Sequence, residues 1–308
     1  MRPHGRLSPP LGPVLAVWGL AALTAVAVFA TYSRIPPDRL YHVTGEGLEG
    51  GASRVAVLLG FPVAVLALPL LPVVVDRLRR ASGVSARERA AVQSLALVAA
   101  ALCATVVVSV DQGDLDVRPV NALAATGTML SVGLTVYALR RTGMGHLERP
   151  FPRGAAAIVV VLALAGLPWV GADIGFSLGR VPILDDVFNS GEDVVHLGHH
   201  HGLDGVLLAI AAILLWPSVA SMASSRLRSL ATFLVALELV YGLANMIQDG
   251  WYEQVFKRGW SETDLPSVLH PSLTPAWAGI LLVTAVIGLL ALVWLDSPVT
   301  EEPSKSPG

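Results

Sequence analysis

Eight stretches of this chain each run for about twenty residues with almost no charge, the length an α-helix needs to cross the hydrocarbon core of a bilayer. They are Leu11 to Tyr32, Val55 to Val75, Ala90 to Val110, Pro119 to Leu139, Gly154 to Val170, Gly205 to Met222, Ser229 to Gln248 and Thr274 to Leu295. Inside a bilayer the backbone must satisfy its own hydrogen bonds, so such runs predict an all-α polytopic membrane bundle. Residues 1–296 are then one transmembrane domain, and 297–308 a polar, disordered cytoplasmic tail with three prolines. The first run is too long for the apolar part of a signal peptide, typically about 7–15 residues, and reads as a retained span. Pro62, Pro69 and Pro72 fall inside the second and free carbonyls that neighbouring helices must help to satisfy.

Cations set the expected orientation. With the N-terminus inside, the inner segments hold Arg2 and Arg6, the group from Arg77 to Arg89, the group from Arg140 to Arg153, Arg226, Arg228 and Lys305, the greater part of the 21 cations. Eight spans return the C-terminus to the inside. Arginine outnumbers lysine heavily (only Lys257 and Lys305 are lysines), a bias of GC-rich bacterial genomes, so the expected location is a bacterial plasma membrane. A formal net charge of −2 excludes nucleic acid as a partner, and the single Cys103 excludes a disulfide framework or a thiolate metal cage.

Within this frame one stretch stands out. Ser190 to Asp204 reads SGEDVVHLGHHHGLD and closes the extracytoplasmic loop 171–204. It places His196, His199, His200 and His201 within six residues, with acids on both sides. Ser190 followed by Asp193 resembles an acidic capping box. If a helix starts there and continues into the sixth span, Asp193, His196, His200 and Asp204 share one face, with His199 beside them. Two histidines at i and i+4 with flanking carboxylates are a common way to hold a divalent cation, and the acids can orient each imidazole from behind. His201 points elsewhere in that arrangement. Gly198, Gly202 and Gly205 work against a continuous helix. The competing reading is a solvated, pH-sensitive histidine loop.

His196-Leu-Gly-His199-His200 has the H-x-x-H-H form and looks like one histidine box of the membrane desaturases and hydroxylases, which carry a di-iron centre. The resemblance covers five residues. Those families use several boxes, usually on the cytoplasmic side, and this chain has one, on the opposite side. The resemblance therefore implies imidazole ligation of a metal at a membrane surface and nothing further.

Other outer residues are expected to complete the site. His42 lies in the first outer loop, near Glu46, and His270 precedes Pro271 at the mouth of the eighth span, where its backbone is restricted. The aromatics Trp251, Tyr252, Phe256 and Trp260 read as an interfacial belt. Glu238 is the one full charge deep in a span, a functional hypothesis by default. Tyr241, Asn245 and Gln248 share its face, making a polar stripe toward the outer surface; interhelical hydrogen bonding is the structural alternative.

The chain has no phosphate loop, dinucleotide glycine fingerprint, G-x-S-x-G elbow or H-E-x-x-H motif. The expected function is a membrane metalloenzyme of the oxidoreductase type acting on a lipid-soluble or membrane-bound substrate. Its metal (iron, copper or zinc) is held by His196, His199, His200, His201, His42, His270 and Asp193, with Glu238 or Asp204 relaying protons. A metal or proton-coupled transporter using the histidines and Glu238 is the alternative, and a non-catalytic assembly or sensor protein the third.

Overall fold

The computed structural model describes residues 9–34, 36, 45–109, 117–145, 151–174 and 200–297. Helices dominate these residues and no strand occurs among them. In chain order they are α1 (Gly12–Arg34), α2 (Gly47–Gly60), α3 (Val63–Arg80), α4 (Ala86–Ala104), α5 (Val106–Ser109), α6 (Pro119–Thr142), α7 (Arg153–Ala165), α8 (Leu167–Asp173), α9 (His201–Ala220), α10 (Ser225–Trp251) and α11 (Pro275–Asp296). A π-helical turn, Tyr252–Phe256, extends α10. Six helices are long and apolar enough to span a membrane, and two bent pairs raise the number to eight if each pair is one span.

Helix starts follow local chemistry. Ser85 opens α4 with a reciprocal capping box: its hydroxyl accepts from the Glu88 amide at 3.2 Å, and the Glu88 carboxylate accepts from the Ser85 amide at 2.7 Å. Thr274 caps α11, with Pro275 at the first helical position, where its missing amide costs little.

Three expected boundaries differ from what the structure shows. Where the second span is expected, helix begins earlier, at Gly47, and bends by 44° between α2 and α3 at Phe61-Pro62. Its early glycines are contact residues rather than loop residues. A Cβ on Gly51 would lie 2.9 Å from the Phe29 carbonyl oxygen, so glycine lets α2 press against α1. Where the fifth span is expected lie two helices, α7 and α8, which meet at 45° beside Gly166 and Pro168. The seventh runs on past Gln248 to Phe256. Asp249 and Glu253, beyond the expected end, are both buried in the continued helix.

The centre of the bundle is the α9–α10 pair. A Cβ on Gly242 would lie 2.7 Å from the Gly205 carbonyl oxygen and 2.9 Å from the Ala209 amide. Lipid tails are as apolar as leucine, so helices in a bilayer gain from such close backbone approach rather than from hydrophobic exclusion.

One end of the bundle is tied together by arginines. Arg77 donates to the Pro9 carbonyl at 2.7 Å, the Thr142 hydroxyl at 2.6 Å and the Gly143 carbonyl at 3.1 Å, joining α3 to the entry of α1 and the exit of α6. Asp76 accepts the Ala223 and Ser224 amides at 3.2 and 3.1 Å and so holds the α9–α10 turn. Arg228 pairs with Asp296 of α11 at 2.6 Å. The start of α9 and the end of α10 lie at the opposite end.

Candidate metal centre

The start of α9 is set by His200, its N-cap, whose backbone is extended at φ −110° and ψ 146°. The His200 carbonyl accepts the first helical bonds, from Leu203 at 3.0 Å and Asp204 at 3.3 Å. The expected continuous helix through His200 is therefore corrected: α9 begins only at His201, so His200 and Asp204 do not sit on one unbroken helix.

Opposite His200 stands the end of α10. Asp249 lies in its last turn, and Glu253 one turn later in the π-helical segment, an irregularity frequent at functional sites. His200, Asp249 and Glu253 each direct a ligand atom to a common region, with all these atoms within 4.8 Å of one another. All three residues are buried, and His200 Nδ1 lies 3.9 Å from Asp249 Oδ2. Two acids and one imidazole with so little water access call for a cation or for protonation. Lys257, one turn beyond Glu253, supplies one charge, its Nζ 3.2 and 3.3 Å from the two Glu253 oxygens. The Lys257 ammonium also sits 5.0 Å from the centre of the Tyr252 ring. A cavity of about 90 Å³ adjoins the group, lined by Pro168, Trp169, His200, Gly250, Glu253 and Gln254. That is room for a few waters or a small molecule.

His201, the next residue, faces a different way. Its Nδ1 is 3.1 Å from Asp204 Oδ2, and its ring lies 6.1 Å from that of Phe61. His201 and Asp204 line a separate cavity of about 20 Å³ with Arg54, Val28 and Leu58. Asp204 thus orients His201 and does not join His200. His270 is exposed and is not among the three converging residues. His42, Asp193, His196 and His199 lie outside the described residues.

Glu238 is buried in α10, and neither carboxylate oxygen has a hydrogen-bond partner. Eleven residues of helix separate it from Asp249, about 16 Å at 1.5 Å per residue. That distance rules out direct contact with a metal at His200. Between them Tyr241 donates to the Leu269 carbonyl at 2.7 Å, and Asn245 and Gln248 are buried. Asn245 Oδ1 and Asp249 Oδ2 also lack hydrogen-bond partners. The polar stripe thus runs from Glu238 to the three-residue group.

Asp249 and Glu253 were not selected from the sequence as ligands. The signal was there: Asn245, Asp249 and Glu253 recur every four residues, continuing the face that carries Glu238 and Tyr241. No protein-family model, curated protein or solved structure matches this chain.

Proposed function

We propose that this chain is an integral membrane metal-handling protein. His200, Asp249 and Glu253 capture a divalent cation, and the buried polar face of α10 carries that cation or a counter-proton toward Glu238. The observation that supports this reading most is the run of buried oxygens without hydrogen-bond partners on Asp249, Asn245 and Glu238, which starts at the three-residue group. Such acceptor oxygens along one helix face suit a cation or proton and repel an anion. One imidazole with two carboxylates favours zinc or iron(II) over copper, which takes more nitrogen. Under the positive-inside rule the arginine-tied end faces the cytoplasm of a bacterial plasma membrane and the metal group faces outward.

The test is flux into proteoliposomes loaded with a zinc- or iron-sensitive dye and, in parallel, a pH dye. Wild type moves metal or protons. Glu238→Gln keeps metal binding and loses flux, and Asp249→Asn loses both. Flux unchanged by Glu238→Gln contradicts the reading.

A second reading has its own support. The cavity of about 90 Å³ beside the ligands gives a metalloenzyme of the oxidoreductase type a place for a small substrate. A whole lipid-soluble molecule needs more room, since ligand pockets span about 300–1,000 Å³. Its head alone would enter. Turnover of a redox substrate that survives Glu238→Gln would select this reading.

A further inference from the structure

At the arginine-tied end, α7 and α11 flank the α9–α10 pair and leave a cleft of about 290 Å³ between them. Its floor is Ala212, Ile213, Trp216, Val235 and Ala236, and Ile287 of α11 forms a wall. The lining is apolar with one exception. Thr232 faces the cleft, is 1% exposed, and its hydroxyl has no hydrogen-bond partner. One helical turn from Thr232 toward the bundle end, on the same face of α10, lies Arg228, buried, with Nη2 on Asp296 and Nε without a partner. Arg153 and Arg226 are exposed at the same end.

A cleft of about 290 Å³ takes a stretch of a single hydrocarbon chain, and the polar groups at its end decide what that chain carries. A buried threonine hydroxyl leads to arginines at headgroup level, which suits a chain that continues through an ester into a phosphate.

From these features we infer that the cleft between α7, α9, α10 and α11 is a binding site for one acyl chain of an anionic glycerophospholipid. The ester carbonyl accepts the Thr232 hydroxyl, and the phosphate meets Arg228 and its exposed neighbours. The site is distinct from the His200 group, at the other end of the bundle, and does not depend on it.

The experiment is native mass spectrometry of the full chain, released from nanodiscs that contain phosphatidylglycerol and phosphatidylcholine of identical chains in equal amounts. The expected result is one retained lipid per chain, enriched severalfold for phosphatidylglycerol. Ala236→Phe fills the cleft and removes the adduct, while elution and helix content stay as in wild type. Thr232→Val leaves the cleft open and weakens retention about fivefold, the worth of one hydrogen bond. Equal retention of both lipids, an adduct that survives Ala236→Phe, or glycerol 3-phosphate binding as well as the whole lipid would overturn the inference. So would a dimer dissociated by Ala236→Phe, which would give the cleft to a second copy.

Discussion

Replacing Gly202 with alanine tests how the metal group is walled. Gly202 is the second residue of α9, two positions after His200. A Cβ there would collide with the Trp169 ring and lie 2.7 Å from Asp249 Oδ2. Ordinary contact begins near 3.4 Å. The carboxylate must therefore withdraw by about 0.7 Å, or α9 must move off α8 and α10 by a similar amount. Metal–ligand distances tolerate only about ±0.2 Å. The expected cost is about 1–3 kcal/mol of stability from overpacking and a 10–100-fold weaker metal affinity, the usual effect of disturbing what positions a ligand. Gly19→Ala is the control, because nothing lies within 4 Å of its added Cβ. There the same change is neutral or stabilising by up to about 1 kcal/mol, through helix propensity alone. The assays are thermal unfolding in detergent without metal, and competition for zinc against a chelating dye. Wild-type melting and zinc affinity in Gly202→Ala would show that Asp249 is not held where this argument puts it.

Other expectations follow from the same geometry. His200→Ala, Asp249→Asn and Glu253→Gln each lower zinc affinity at least tenfold in that competition assay, whereas His201→Ala leaves it within twofold, because His201 pairs with Asp204 in another cavity. Lys257→Met removes the cation beside Glu253; the metal-free protein then melts lower and binds zinc about tenfold more tightly, because bound metal alone now compensates the buried charge. Metal affinity falls as pH is lowered through the range in which imidazole protonates, since the ligands bind only when deprotonated, and calorimetry at two pH values detects the linked proton release. Arg77→Ala removes the donor that ties the Pro9, Thr142 and Gly143 oxygens together at the arginine-tied end, costing several kcal/mol of stability with no change in metal affinity.

The helical membrane character could be read from the apolar runs because length and hydrophobicity are local properties. Where each span bends or ends could not. Gly50 and Gly51 look like loop glycines until α1 is seen against them, and Asp249 and Glu253 look like exposed charges until His200 and Trp169 are seen to cover them. His200 is legible as a candidate ligand from its cluster. Its neighbours Asp249 and Glu253 come from α10 and the turn that extends it, where α10 begins 25 residues later in the chain (225 against 200), and the packing of α9 on α10, with Gly205 against Gly242, brings the two helix ends together. The α10 stripe was visible as periodicity from Glu238 to Gln248. The expected span ends at Gln248 because two charged residues follow, although the four-residue spacing from Asn245 to Glu253 continues the same face.

The central claim is that His200, Asp249 and Glu253 form one metal centre. Elemental mass spectrometry of the purified full chain tests it directly, beside His200→Ala, Asp249→Asn, Glu253→Gln and His201→Ala prepared identically. The account predicts near-stoichiometric zinc or iron in wild type and His201→Ala, and loss of the metal in the other three. Metal that persists in Asp249→Asn and Glu253→Gln, or folded wild type that takes up none on reconstitution, would contradict it.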